Sequence, residues 1–198
     1  MNPTVVKFGG SSLATAGQFE KVAAIIRENP GRRYVVASAP GKRFSGDTKV
    51  TDLLYRCYDA ACAGQDFAPV LDEIRQRFAD IISELQLQVD LAPDFAAIER
   101  RAANAARELQ ALERAAPRTG AALDEAIARQ RDYMASRGEY LNSKLLAAYL
   151  GFAFVDAAQM VLFRADGSFD AEATNTAIGH ALVSIDRAVI PGFYGAMP

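Results

Sequence analysis

The sequence is poor in the features that mark exported, membrane-spanning or nucleic-acid-binding chains. Its 198 residues include two cysteines, Cys57 and Cys62. They lie five apart on an expected helix, about 140° around its axis, so they cannot pair with each other. They read as small buried hydrophobes, and a reducing cytoplasm suits them. No apolar run approaches the roughly 20 residues of a membrane span. The amino terminus enters a strand by Val5, without a basic-then-apolar signal pattern. A net charge of −2 gives no electrostatic case for nucleic acid or an anionic membrane surface. The one histidine, His180, sits on an amphipathic helical pattern and reads as a structural or surface residue. There is no internal repeat and no low-complexity linker.

What is present is an ordinary globular balance, 51% hydrophobic and 23% charged. A strand near Thr4 to Phe8 precedes a helix whose apolar positions Phe19, Val22, Ile25 and Ile26 share a face. Asn29-Pro30-Gly31 stops that helix, and Arg33 to Ser38 reads as a second buried strand. This β-α-β unit makes a parallel pair, so both strands deliver their carboxyl ends to one sheet edge. A basic, glycine-containing loop follows over residues 41–49. A long helical stretch then runs from about Thr51 to Leu150, with breaks expected at Gly64-Gln65-Asp66, Ala92-Pro93 and residues 117–120.

Within that stretch Ile98, Ala102, Ala105, Leu109, Leu112 and Ala116 are spaced for a helix packing along a neighbour. Arg100, Arg101, Arg107 and Glu108 fall on wetter faces. The middle, about residues 65–135, reads as a helical insertion serving packing or dimer contacts. Strands are expected again at Phe152 to Val155, Met160 to Phe163 and Arg187 to Ile190. A turn at Ala165-Asp166-Gly167-Ser168 and a helix from about Ala171 to Val183 lie between the last two. Pro191-Gly192-Phe193-Tyr194-Gly195 forms a glycine-flanked aromatic loop.

The most informative segment is Val5-Val6-Lys7-Phe8-Gly9-Gly10-Ser11-Ser12-Leu13. Adjacent glycines leave the backbone free of Cβ atoms, so successive N–H groups can converge on an anion. A helix starting just beyond them would point its positive end the same way. Lys7 adds a full charge. The lysine precedes the glycines, so this is no Walker A loop, and one glycine pair is not a dinucleotide fingerprint. The physical reading is a site for a phosphate chain; a tight turn with a solvated edge lysine is the plain alternative.

Four segments in order resemble the aspartate kinases of the amino-acid kinase superfamily. They are Lys7-Phe8-Gly9-Gly10-Ser11-Ser12; Ser38-Ala39-Pro40-Gly41 with Thr51-Asp52-Leu53-Leu54; Ser136-Arg137-Gly138-Glu139; and Pro191-Gly192-Phe193-Tyr194-Gly195. The resemblance covers essentially the whole chain. It implies an α/β three-layer sandwich with a mainly parallel central sheet and a helical insertion. It also implies transfer of the γ-phosphoryl group of ATP, with Mg2+ held mainly by the nucleotide phosphates, to the side-chain carboxylate of L-aspartate. That is the first step towards lysine, threonine and methionine, and in bacteria diaminopimelate. The family also implies a cytoplasmic homo-oligomer.

The residues suit those roles. Phosphoryl transfer asks mainly for positioning and charge neutralisation. By resemblance Lys7 is the catalytic residue, and Lys7 with the Gly9, Gly10 and Ser11 amides would hold the phosphates. A carboxylate acceptor is ionised at pH 7 and needs no general base, so the lack of a catalytic histidine is no objection. Glu139 resembles the family's partner for the substrate ammonium, Ser38 and Thr51 its hydroxyl-bearing substrate positions, and Phe193 the aromatic beside the bound amino acid. Each has a plain alternative: a turn hydrogen bond for Ser38, a helix N-cap for Thr51, a first-turn dipole partner for Glu139 and a core position for Phe193. Lys42, Arg43 and Lys49 could screen phosphates or simply sit on a solvated loop. No residue is assigned to a metal.

In the resembling family a second glycine-rich motif with arginine, serine and aspartate follows the segment equivalent to Pro198. Beyond it come the base pocket, another catalytic lysine and usually two small regulatory domains. Residues 1–198 are therefore expected to be the amino-terminal, substrate-binding part of an incomplete catalytic domain. By itself it would bind ATP poorly, show little kinase activity and tend to self-associate. Two other readings stay open: a superfamily member with another acceptor, such as acetylglutamate or glutamate, and a non-catalytic assembly module.

Overall fold

The computed structural model describes residues 3–115 and 120–197. Strand β1 (Thr4–Phe8) leads through a 3-10 turn, Gly10–Leu13, into helix α1 (Ala16–Arg27). The helix therefore starts several residues beyond the glycine pair, with a single tight turn between them. Phe19, Val22, Ala23 and Ile26 form the buried stripe of α1, whereas Ile25 is 42% exposed and corrects the expected face. At about 100° per residue, Ile25 stands on the flank of the stripe that Val22 and Ile26 define. Beyond the helix, the Asn29 side chain accepts from Gly31 N at 2.8 Å and turns the chain into β2 (Arg32–Ala37).

β1 and β2 pair in parallel, and β2 pairs in parallel with β4 (Ala188–Pro191), which pairs with the two-residue β3 (Ala153–Phe154). The sheet order is β1-β2-β4-β3. The expected parallel α/β architecture is thus present. The segment Met160 to Phe163 is not a regular strand. It makes single bridges, Leu162 with Ala196 and Phe163 with Phe169, after a 3-10 turn at Ala157–Gln159. Its neighbours at those positions are loops, so no ladder extends the pairing.

Four helices make up the middle of the chain: α2 (Val50–Cys62), α3 (Ala68–Glu84), α4 (Ala92–Ala115) and α5 (Gly120–Leu150). The break expected at Ala92-Pro93 lies earlier, between Glu84 and Ala92. Pro93 occupies the first turn of α4, where its missing N–H has no helical partner to lose, and Asp90 accepts from Ala92 N at 2.8 Å. Ile98, Ala102 and Ala105 are buried as their spacing requires. Ala116, residues 117–119 and the side chains of Leu109 and Leu112 lie outside the described residues. Cys57 is buried, Cys62 is half-buried, and both are free thiols.

One core joins the helices to the sheet. Val35 and Ala37 of β2 pack in it with Leu53, Leu54, Ile74, Phe78, Ile98, Leu141 and Leu145. Each fully buried large apolar side chain contributes roughly 1.5–3 kcal/mol, so this continuity fixes α2, α3 and α5 relative to the sheet edge. Helix α6 (Ala171–Leu182), N-capped by Asp170, covers a smaller cluster around Val155, Met160 and Ala188. His180 is exposed near its end. Among the described residues no helix is long and apolar enough to cross a membrane.

Candidate active site

The carboxyl ends of three strands finish in one row, with Phe8 beside Ala37 and Ala37 beside Pro191. The chain leaves each strand under backbone control: Ser38 N donates to Phe8 O at 3.2 Å and Gly192 N donates to Ala37 O at 2.9 Å. The loops after β1 and β2 then meet. Gly41 N donates to Gly10 O at 2.8 Å. A Cβ on Gly10 would lie 2.7 Å from Ala39 O, and one on Gly41 would lie 2.6 Å from the Gly10 carbonyl carbon. Here the two glycines are required by close backbone approach. Around Gly9, by contrast, the space where a Cβ would stand is open to 4 Å.

Helix α5 brings a carboxylate to this wall. Gly138 lets the helix approach, since a Cβ there would come within 2.8 Å of Ala39 Cβ. The next residue, Glu139, is 6% exposed, and its Oε2 has no hydrogen-bond partner among the described residues. Burial pushes its carboxyl up to about 7, and the backbone at Ala39 and the charges of Lys7 and Arg137 pull it part of the way back. An unpaired buried carboxylate is costly, and a cationic partner would relieve it. One turn on, the fully buried Asn142 donates through Nδ2 to Ser38 O at 2.8 Å and Leu13 O at 3.4 Å. It thereby ties both loops to α5.

Between these elements lies a cleft of about 470 Å³. Gly10, Ser11, Ser38, Thr51 and Glu139 all line it, so five of the eight positions singled out in the sequence come together in space. Lys7 stands at the exposed end of β1, close enough for its charge to act on Glu139. Gly9 lies in the turn between them. Phe193 is elsewhere: it is 64% exposed and borders a separate cavity of about 660 Å³ with Tyr133, Arg137 and Tyr194. Its φ of 76° is unusual for a non-glycine residue.

Three of the plain alternatives fall, the core position for Phe193 among them because that side chain is exposed. Thr51 is the second residue of α2 and Lys49 holds the cap position, so Thr51 is not an N-cap. Glu139 is deep within α5, so it is not a first-turn dipole partner.

The sequence profile of the amino acid kinase family matches residues 2–197. The chain belongs to the amino acid kinase family. Aspartokinase 3 of Bacillus subtilis is 37% identical over 145 residues, covering 71% of this chain and 31% of that protein. The aspartate kinase of Clostridium acetobutylicum superposes on the whole chain with a TM-score of 0.81 and 40% identity, over 40% of its own length. E. coli aspartokinase III, solved with aspartate and ADP, has the same fold, with a TM-score of 0.67 at 23% identity over 99% of this chain. The chain spans about a third of the length of the Bacillus relative.

In this amino acid kinase domain the charged residues lining the cleft are Glu139, Lys42 and Lys49. Two cations and one buried carboxylate thus line the same cleft as the Gly10 turn. Among the described residues no cluster of three or more His, Cys, Asp and Glu side chains is placed to hold a metal ion. Sequence reasoning missed Asn142 and Arg77 as parts of this region. Asn142 carried a usable signal, falling three residues after Glu139 on the same helical face. Arg77 carried one too, three residues after Ile74 and four before Ile81 on the apolar stripe of α3.

Proposed function

We propose that this chain is the amino-terminal, substrate-binding part of an aspartate kinase catalytic domain, with the helices over about residues 65–135 as its insertion. A protein carrying it transfers the γ-phosphoryl group of ATP to the side-chain carboxylate of L-aspartate, giving 4-phospho-L-aspartate. The observation that carries the reading is Glu139, a buried carboxylate with a free oxygen, lining a cleft with Ser38 and Thr51 and lying in the field of Lys7. An amino acid's ammonium is the partner that such a group lacks.

In this reading Glu139 takes the α-ammonium, while the Ser38 and Thr51 hydroxyls orient the substrate. The Gly9, Gly10 and Ser11 amides face the transferring phosphoryl group, whose charge Lys7 offsets. The acceptor carboxylate attacks phosphorus as the bond to the ADP oxygen breaks, and no proton needs to be removed from it. Magnesium would be held mainly by the nucleotide phosphates and would offset their charge, and no residue of this chain is assigned to it. Phe193 reaches the bound amino acid only if its loop turns towards the cleft. The enzyme acts in the cytoplasm as a homo-oligomer, at the start of lysine, threonine and methionine synthesis.

The test is calorimetric titration of a protein carrying this chain with L-aspartate and with N-acetyl-L-aspartate, which lacks the ammonium. Losing a charge-assisted contact of about 1.5–3 kcal/mol should weaken the acetylated ligand by at least about tenfold. Equal affinity, or preference for an acetylated acceptor, would move the assignment to another superfamily member.

A further inference from the structure

Arg77 stands on the buried face of α3, between Ile74 and Ile81, and is 4% exposed. Surface arginines are the rule, and burying a guanidinium costs several kcal/mol unless its donors are matched. Here the two Nη groups are matched by backbone, while the buried Nε has no partner among the described residues. Nη1 donates to Thr48 O and Nη2 to Gly41 O, both at 2.6 Å. Asp47, itself buried, adds its charge at 3.6 Å and is held in turn by Arg43 through Nε at 2.9 Å and Nη2 at 2.8 Å.

The two carbonyls have particular neighbours. Gly41 O belongs to the peptide that leads into Lys42, and Thr48 O to the peptide that leads into Lys49. Both lysines line the cleft. The Gly41 residue is gripped from both sides, because its N–H donates to Gly10 O. Nearby, Val50 N donates to Pro40 O at 3.1 Å and closes the base of the loop. One rigid planar group therefore orients the peptide before each lysine and, through Gly41, supports the Gly10 turn.

We infer that Arg77 is a positioning residue of the cleft: from α3 it holds both ends of the 41–48 loop and so sets where Lys42, Lys49 and the Gly10 turn stand. The helical middle thereby reaches the site directly. A lysine could not replace it, since a single ammonium on a flexible stem does not present two fixed donors. The kinetic part of this inference rests on the aspartate kinase reading; the geometric part does not.

The experiment compares Arg77→Lys with Arg75→Lys, a control on the same helix whose side chain pairs with Asp72 and Glu99 at the surface. In Arg77→Lys, amide exchange over residues 41–49 should quicken by about tenfold or more, while the amides of α3 keep their protection. KM for MgATP should rise about tenfold with kcat within about threefold, the expected cost of one charged hydrogen bond lost from binding. Arg75→Lys should match the unsubstituted protein in both. A merely structural role would instead speed exchange through α3 and leave KM unchanged, and that result overturns the inference. KM is measured in a longer protein that carries this chain; if that protein phosphorylates no amino acid, the kinase reading fails and exchange alone decides the role of Arg77. Should Arg77→Lys not fold, nitrogen-15 spectra of the unsubstituted protein decide: distinct, slowly exchanging Arg77 Nη protons support the clamp, and freely averaging ones refute it.

Discussion

Replacing Glu139 with glutamine removes one titration from the buried wall of the cleft and leaves the shape of the side chain. The glutamate carboxyl titrates near its ordinary 4.5 in the unfolded chain and near about 7 in the folded one. Between those values the folded state holds a proton that the unfolded state has lost, so stability falls as pH rises through this window. It is flat above the folded value. Each pH unit separating the two pKa values is worth about 1.4 kcal/mol. The full penalty is therefore roughly 3 kcal/mol, of which roughly 2 to 3 kcal/mol accrues between about pH 5 and about pH 8.

Glutamine pays no such penalty but buries an amide whose unpaired atoms cost about 1–3 kcal/mol at every pH. The informative quantity is thus the pH dependence of the difference, measured by urea unfolding of both proteins across that range. Glu139→Gln should gain on the parent steadily from acid to neutral pH and then hold level. A difference that stays constant, or that moves the other way, would refute the claim that Glu139 is buried without a cationic partner.

The backbone contact of the two loops gives a second test. Gly41→Ala should destabilise by roughly 2–4 kcal/mol through overlap with Gly10 and Ser11, whereas Gly9→Ala should change stability by less than about 0.5 kcal/mol, as thermal unfolding will show. Gly9→Ala should nonetheless weaken nucleotide binding, because its methyl would fill the open space over the turn. Asn142→Leu leaves the Ser38 and Leu13 carbonyls without their donor and should cost about 1–3 kcal/mol in urea unfolding, with exchange quickening in both loops.

The sheet and most of the helices were readable in the chain because their signals are local. The β-branched runs in β1, β2 and β4, the stop at Asn29-Pro30-Gly31 and the stripe at Ile98, Ala102 and Ala105 each rest on neighbours in sequence. Met160 to Phe163 misled for the converse reason: its apolar run looks like a strand, yet pairing needs a partner edge, and only loops lie beside it. Gly10, Ser11 and Ser38 could be gathered because the parallel register delivers two strand ends to one place, whereas Thr51 and Glu139, on α2 and α5, were assigned only through their motifs. Arg77 could not be assigned a role from sequence. Its partners are backbone carbonyls 29 and 36 residues away, which have no side-chain signature. Phe193 was placed by its motif, and its exposed, left-handed conformation is a property of tertiary geometry.

Proton release on binding tests the ammonium-binding role of Glu139 most directly. A protein carrying this chain should be titrated with L-aspartate near pH 7 in buffers of differing ionisation enthalpy. If the ammonium seats against Glu139, the carboxyl is drawn into its ionised form and about half a proton leaves per aspartate bound, an effect that Glu139→Gln abolishes. Binding with no proton released, or with release that survives Glu139→Gln, would contradict the account.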